Sequence, residues 1–310
     1  MKTLSIIIPV FNEAENLPIL FSEIERVKKV VPDKVEVIFI NDGSTDQTQS
    51  VLVQIQRKHA WVKMITFTRN FGQAAAFDAG IKAARGDILA TLDADLQNDP
   101  ADLPKLLTKL ETGFDAVVGW RKQRKDRLEK KLFSQLANWL RVKLTGETIH
   151  DSGCSLRVYK REVFQNIDLY GEMHRFIPAL LFIQGYRIGE VEVHHRPRIY
   201  GKSKYNIKRV GKGLLDLLFI SFLTHYGARP LHIFGLIGGG TFIFGVLIAG
   251  YLSWLKLAFG EKLANRPLLT LSVLLIIIGT QFVSLGFLAE ILMRIYFKTH
   301  NIKPYTFKKS

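Results

Sequence analysis

Cysteine and acidic residues are scarce in this 310-residue chain. Cys154 is the single cysteine, which excludes an internal disulfide framework and any multi-cysteine zinc site. Asp and Glu number 28 against 43 Lys and Arg, so the formal net charge is +15. No GxGxxG motif follows the first predicted strand, and the pattern therefore gives no support to a dinucleotide-binding fold. A content of 47% hydrophobic and 23% charged residues excludes intrinsic disorder.

The excess of positive charge is concentrated in the middle third of the chain. The net charge is −3 over residues 1–118, +12 over residues 119–213 and +6 over residues 214–310. A basic segment of this kind is compatible with nucleic acid, an anionic membrane surface or a phosphorylated ligand. Charge alone does not choose among these partners.

Two long segments, residues 231–255 and 267–289, carry no formally charged residue. Each has about the 20 residues that a helix needs to cross a bilayer core, and no neighbouring segment is long enough to bury both in a further domain. We predict two transmembrane helices within residues 230–297. Glycines at positions 235, 238–240 and 245 permit close helix packing, within one chain or between chains, so a homo-oligomer stays open.

Basic residues precede the first predicted span and follow the second, which predicts that both ends of the pair are cytoplasmic. The N-terminal residues lack the regions of a signal peptide, so we expect residues 1–206 and the tail, 298–310, to be cytoplasmic as well. Residues 207–229 mix Lys and Arg with Leu, Ile and Phe. They predict an amphipathic helix on the membrane surface, with a helix packed on the preceding domain as the alternative. Because the basic segment leads directly into the spans, we expect a membrane partner and no nucleic acid.

Apolar strand-like runs alternate with helical stretches in the first part of the chain. The predicted strands are residues 4–10, 35–40, 62–67, 88–92 and 116–118. Alternation of this kind predicts an α/β fold with a mostly parallel sheet, in which ligands bind at the carboxyl ends of the strands.

Four short motifs follow the first four predicted strands, at residues 9–13, 41–44, 69–73 and 93–97. Each alone is an ordinary turn, but together they converge on one edge of the sheet. On an extended segment residues i and i+2 point to the same side, so Asp93 and Asp95 present two carboxylates together. Hard oxygen ligands of this kind suit Mg²⁺ or Mn²⁺.

In this order and spacing, the four motifs resemble the nucleotide-sugar-binding domain of glycosyltransferase family two, which has the GT-A fold. Further segments extend the resemblance to the polyprenyl-phosphate glycosyltransferases related to dolichyl-phosphate mannose synthase. These segments are residues 151–153, 175–178 and 198–205 and the two predicted spans. The resemblance implies inverting transfer of one sugar from a UDP- or GDP-sugar to a polyprenyl phosphate at the cytoplasmic face of the membrane, for modification of a cell-envelope glycan or glycolipid.

The resemblance also implies roles for individual residues. The metal ligands would be Asp95 and Gln97 with Asp93 nearby, and the donor-binding residues would be Pro9, Phe11, Glu13, Asp42, Gly72, Asp93 and Ala94. The acceptor phosphate would be bound by Arg121, Ser134, Arg157 and Lys204, and the catalytic residues would be Asp95, Asp151 and Arg175.

Several of these roles have alternatives. Glu13 could instead stabilise the start of a helix, and Asp151 could be a general base or could hold Arg157 or a loop. A nucleophilic role for Cys154 is disfavoured because the sequence shows no activating partner. A processive polysaccharide synthase is a second possible function, although the chain has no Gln-x-x-Arg-Trp motif. A non-catalytic membrane sensor or scaffold that kept the donor pocket is a third.

Overall fold

The computed structural model describes residues 3–31, 34–122, 142, 146–165, 169, 171, 173–200, 229–260 and 266–299. The chain divides into two units, Met1–Ile220 and Ser221–Ser310. The predicted interfacial helix, the tail, Ser134 and Lys204 lie outside the described residues, apart from Arg229 at the end of that helix and residues 298 and 299 at the start of the tail.

The first unit is built on a seven-stranded sheet with the order β3-β2-β1-β4-β6-β5-β7. The strands are β1 (Thr3–Val10), β2 (Lys34–Asn41), β3 (Val62–Thr66), β4 (Ile88–Thr91), β5 (Ala116–Trp120), β6 (Arg157–Lys160) and β7 (Ile188–Glu192). All neighbouring pairs are parallel except those that β6 forms with β4 and β5. The predicted α/β class and mostly parallel sheet are confirmed.

Helices connect the strands and cover both faces of the sheet. They are α1 (Leu17–Val30), α2 (Thr48–Lys58), α3 (Gln73–Ala83), α4 (Leu103–Glu111) and α5 (Ile177–Ile183), the last preceded by a 3-10 turn at Met173–Phe176. In α1 the buried residues recur at helical spacing, beginning with Leu17, Leu20 and Phe21, so one stripe of the helix faces the core.

The core lies in two layers, one on each face of the sheet. Ile6 and Ile8 of β1 belong to one buried cluster, whereas Ile7 packs with Ile38 and Ile40 in the other. Strands buried on both faces read as continuous apolar runs, which is why the sequence shows no polar alternation here.

Strands β1 to β5 match the five predicted strands to within two residues at each end. Residues 188–196 form a strand-like run in the sequence, but β7 ends at Glu192. Here the chain turns to make long-range contacts, since the backbone N–H of His194 donates to Asp102 Oδ2 at 2.7 Å. His194 therefore contacts Asp102 at the start of α4, and its Nδ1 lies 3.1 Å from Asp102 Oδ1.

The second unit contains α6 (Pro230–Phe259) and α7 (Pro267–Thr299). Both are long and apolar enough to cross a membrane, and both expose most of their surface, unlike the core helix of a globular domain. They begin at the predicted positions and continue beyond the uncharged runs. Glu290 and Arg294 are four residues apart, a spacing that predicts an ion pair on a helix, and the pair is present at 3.2 Å.

Glycines bring α6 and α7 into backbone contact. A Cβ added to Gly238 would lie 2.7 Å from the carbonyl oxygen of Gly279, and one added to Gly279 would lie 2.5 Å from the Phe242 nitrogen. Two turns further along α6, a Cβ added to Gly245 would lie 2.9 Å from the carbonyl oxygen of Ser272. Part of the glycine-rich span is therefore used for packing within the chain.

Candidate active site

The carboxyl edge of the parallel strands collects the loops that follow β1 to β5. Because β6 runs antiparallel to its neighbours, the segment that precedes it, residues 151–156, reaches the same edge. The four predicted motifs therefore lie at one crevice, and Arg121 and Asp151 join them there.

The loops after β1 and β2 are hydrogen-bonded to each other. Asn12 has a positive φ of 56°, which asparagine tolerates, and its Oδ1 accepts the backbone N–H of Thr45 at 2.7 Å. The backbone N–H of Asn12 donates in turn to Ser44 Oγ at 3.0 Å. This pairing fixes the two walls near Pro9 and Phe11.

Asp42 joins the second loop to the third. Its carboxylate is 3% exposed and accepts the backbone N–H groups of Phe71 at 2.7 Å and Gly72 at 2.9 Å. Gly72 has φ 96°, a conformation that other residues adopt only with strain. The donor-binding roles predicted for both residues stay predictions, and the structure adds that Asp42 orders this loop.

Asp93 and Asp95 follow β4 directly, with buried Ala94 between them. Gln73 Nε2 donates to Asp93 Oδ1 at 2.6 Å. Burial raises the pKa of Asp93 to about 6, and repulsion by the neighbouring Asp95 carboxylate adds to the effect. The backbone N–H of Gln97 donates to Asp95 Oδ1 at 3.1 Å and closes the turn.

Leu96 stands at the centre of that turn in an unusual conformation. It is fully buried and has φ 61°, a region that bulky residues rarely occupy. Backbone cost of this kind is found at functional sites where the surrounding structure enforces it. The core that surrounds the Leu96 side chain therefore holds the turn between Asp95 and Gln97.

Arg198 binds the outer oxygen of Asp95. Its Nη2 lies 2.7 Å from Asp95 Oδ2, and its Nη1 lies 3.8 Å from Glu13 Oε1. The sequence identifies Arg198 as part of a cationic loop but gives no sign of this pairing, which joins residues 103 positions apart. A metal ion bound to Asp95 Oδ2 would share this oxygen with Arg198 or displace it.

Glu13 lies at the start of α1, as the alternative interpretation anticipates. Its carbonyl accepts the N–H groups of Asn16 and Leu17, and its carboxylate accepts a bond from the Asn16 side chain. The same carboxylate reaches Arg198, so a contact with the crevice and support of the helix coexist.

Arg121 and Asp151 form a bidentate ion pair at the end of β5. Arg121 Nε lies 2.7 Å from Asp151 Oδ2, and Nη2 lies 2.9 Å from Oδ1. Both side chains are largely buried. Of the two structural roles considered for Asp151, the structure shows support of its own loop, because Asp151 Oδ1 accepts the N–H of Gly153 at 3.2 Å.

Arg157 is buried and donates to three backbone carbonyls, those of Cys154 at 2.6 Å, Ser152 at 2.6 Å and His174 at 2.9 Å. It thereby joins the segment before β6 to the 3-10 turn that carries half-buried Arg175. Its predicted contact with an acceptor phosphate stays a prediction.

Cys154 is fully buried, and burial raises the pKa of its thiol to about 11. A thiol of this kind is protonated at neutral pH and is a poor nucleophile, in agreement with the sequence interpretation.

The donor set suits a hard divalent cation. Among the described residues, no group of three or more acidic, His or Cys side chains is arranged to hold a metal ion. Asp93 and Asp95 nevertheless present two carboxylates whose mutual repulsion a cation would relieve. With Gln97 they can supply part of a coordination shell, and a bound ligand has to supply the rest.

Comparison with known proteins identifies the family. Residues 5–168 match the model of the family described as Glycosyl transferase family 2. The match covers more than half of the chain, which therefore belongs to glycosyl transferase family 2. The family predicted from the strand-end motifs is confirmed.

Two curated relatives match almost the whole chain. It is 41% identical over 300 residues to a dodecaprenyl-phosphate galacturonate synthase of Rhizobium johnstonii, covering 95% of this chain and 89% of the relative. It is 36% identical over 298 residues to an undecaprenyl-phosphate 4-deoxy-4-formamido-L-arabinose transferase of Yersinia enterocolitica, covering 96% and 90%.

A solved structure shares the fold of the first unit. It is glucosyl-3-phosphoglycerate synthase from Mycobacterium tuberculosis in complex with Mn²⁺ and uridine-diphosphate-glucose. The TM-score is 0.52 and the sequence identity 19%, and the match covers 71% of this chain and 79% of that one. At this identity the likeness shows the fold alone, and it agrees with the predicted GT-A architecture.

Proposed function

We propose that this protein transfers one sugar from a UDP- or GDP-linked donor to the phosphate of a polyprenol, with inversion at the anomeric carbon. Two relatives named for sugar transfer to dodecaprenyl or undecaprenyl phosphate match at least 95% of the chain, and this supports the acceptor class. The two relatives are named for different sugars, so the sugar itself stays open.

The observation that best supports the proposal is that acidic and basic side chains lie at the same crevice. Asp93 and Asp95 suit a cation that binds a diphosphate, whereas Arg121 offers a guanidinium to a second anion. A nucleotide sugar and a lipid phosphate are both anionic, so a transferase that joins them needs such groups on both sides of the reacting carbon.

Mg²⁺ or Mn²⁺ is the proposed cofactor, held by Asp95 and Gln97 with Asp93 beside them. A structure with the same fold holds Mn²⁺ together with uridine-diphosphate-glucose, which supports this choice. When bound, the cation would neutralise the diphosphate as it leaves. Gln73, hydrogen-bonded to Asp93 at 2.6 Å, orients that carboxylate toward the site.

The chemical step needs little help from a base. A phosphate monoester has a second pKa near 6, so at neutral pH it is already a dianion. One of its oxygens attacks the anomeric carbon from the side opposite the diphosphate, and the bond between that carbon and the diphosphate oxygen breaks with its electron pair. Placement of the two anions, rather than proton transfer, then sets the rate.

The proposed location is the inner or plasma membrane, with the catalytic domain, residues 1–206, and both termini on the cytoplasmic side. Helices α6 and α7 are long and apolar enough to span it. The basic residues before and after them support the orientation.

The test is release of nucleoside diphosphate by the purified full-length chain from a panel of UDP- and GDP-sugars, with Mg²⁺ or Mn²⁺. The panel includes donors of galacturonate and 4-deoxy-4-formamido-L-arabinose, and each is measured with and without undecaprenyl phosphate. Release that requires both lipid and metal is expected for one donor. Nucleotide binding without lipid-dependent release would contradict the proposal and favour a sensor or scaffold.

A further inference from the structure

The carboxylate of Asp151 is saturated with hydrogen-bond donors. Oδ2 accepts Arg121 Nε at 2.7 Å and the Arg121 backbone N–H at 3.2 Å. Oδ1 accepts Arg121 Nη2 at 2.9 Å and the Gly153 N–H at 3.2 Å. An ionised carboxylate offers about four lone-pair sites, and all four are used. Such a group is poorly placed to remove a proton from a substrate.

Glu190 on β7 fixes the backbone that carries Asp151. Its Oε1 accepts the N–H of His150 at 2.7 Å and that of Asp151 at 3.4 Å, and its Oε2 lies 2.8 Å from His150 Nδ1. The His150 ring also stacks on Trp120, with 4.6 Å between ring centroids. Asp151 is therefore held from two strands, β5 and β7, before it contacts Arg121.

Arg121 has hydrogen-bond donors that its pair with Asp151 does not use. Among the described residues, its Nη1 and the second N–H of its Nη2 have no hydrogen-bond partner, although the side chain is only 9% exposed. Arg121 follows β5 and Asp93 follows β4, so both lie at the same edge of the sheet. A guanidinium held along one edge presents its other edge as a fork for two phosphate oxygens.

We infer that Asp151 is a positioning residue, held by Glu190, which aims the Arg121 guanidinium at the acceptor phosphate and takes no proton in the reaction. The inference rests on the proposed function. The reaction balances without a base, because the acceptor dianion forms its bond to the anomeric carbon and the diphosphate leaves with the electron pair. No proton is released in that step.

The test is the pH dependence of kcat/KM for undecaprenyl phosphate, measured with wild type, Asp151→Asn and Glu190→Gln. The wild type is expected to lose activity below about pH 6, where the acceptor becomes a monoanion. Asp151→Asn should raise the KM for the lipid roughly tenfold, since one charge-assisted bond to Arg121 is lost. Its acid limb should remain where the wild type has it. A phosphonate acceptor, whose dianion becomes a monoanion at higher pH, should move the limb upward in both proteins.

Glu190→Gln keeps the Asp151 carboxylate and loosens its support, so a smaller rise in the same KM is expected. It also keeps the inference testable if Asp151→Asn does not fold. Asp115→Asn is the matched control, because Asp115 precedes β5 at its opposite end and pairs with Lys160 at 2.7 Å. That variant should leave the KM for the lipid unchanged.

Two results would overturn the inference while leaving the proposed function intact. One is an Asp151→Asn enzyme whose acid limb is gone and whose kcat falls about a thousandfold at unchanged KM, as expected for loss of a base. The other is a Glu190→Gln enzyme that changes kcat alone. Failure of the wild type to release nucleotide in the presence of lipid would instead count against the proposed function.

Discussion

The crevice and the two-helix unit are ordered by opposite means. At the crevice, ion pairs join residues far apart in the chain, as Arg198 does with Asp95 and Arg121 with Asp151. Between α6 and α7 the contacts are made by backbone, where Gly238 and Gly279 leave no room for a side chain. Charge serves where anionic substrates have to be bound, whereas close packing serves where lipid makes charge costly.

The contrast between a charged crevice and a close-packed helix pair is lost if the crevice works without its carboxylates. Asp95→Asn removes the charge that a divalent cation needs, and lipid-dependent release of nucleotide should fall about a thousandfold. Asp115→Asn, at the other end of β5, should keep near wild-type turnover. Asp95→Asn activity within tenfold of wild type would show that the crevice does not act through this carboxylate.

The reactivity of the Cys154 thiol tests how tightly the segment before β6, residues 151–156, is packed. With a pKa of about 11, against about 9 when exposed, its thiolate fraction at pH 8 is lower by about a hundredfold. Alkylation by iodoacetamide should therefore be slower by at least about that factor in the folded protein than in the denatured chain, as followed by mass spectrometry. Rapid labelling of the native protein would mean that this segment opens readily.

A single methyl group should distinguish the packed glycines from the free ones. Gly279→Ala places a Cβ 2.5 Å from the Phe242 nitrogen and should destabilise the helix pair by about 1–3 kcal/mol. Gly239→Ala meets no atom within 4 Å and should be neutral or slightly stabilising. Thermal unfolding in detergent compares them, and equal effects would argue against backbone contact at Gly279.

The smallest expected effect concerns the competition of Arg198 with a cation. Because Arg198 pairs with Asp95 in a partly exposed position, its loss should tighten binding of Mn²⁺ alone by about three- to fivefold. Isothermal titration of Arg198→Ala without nucleotide measures this. Arg196→Ala is the control, since Arg196 pairs with Glu23 and Asp99 instead. Weaker Mn²⁺ binding in Arg198→Ala would show that Arg198 supports the site.

The strands and the motifs at their ends could be predicted because both depend on local sequence. An apolar run with a polar turn after it marks a buried strand wherever it lies, and this located Asp42, Asp93 and Asp95 at one edge. The uncharged runs located the starts of α6 and α7 for the same reason. The true ends of these helices differ because charged residues are tolerated near them, as Lys256 is in the last turn of α6 and Arg294 in the last two turns of α7.

The partners of the charged residues at the crevice could not be predicted, because tertiary packing selects them. The sequence suggests Arg157, six residues away, as a partner that Asp151 could hold, and gives no sign of the bidentate pair with Arg121, 30 residues earlier. Arg157 faces carbonyl groups instead, since β6 enters the sheet antiparallel and turns that side chain into the loop before it. Sequence spacing contains no information on either choice.

The buried Leu96 side chain gives the loop of Asp95 and Gln97 a dependence on temperature. The loop holds a left-handed turn at a bulky residue only while the core around that residue stays packed. We expect heat that loosens the packing around Leu96 to release the turn before the sheet melts. Inactivation on warming should therefore precede the loss of circular dichroism, and cooling should restore turnover as long as the sheet has remained intact.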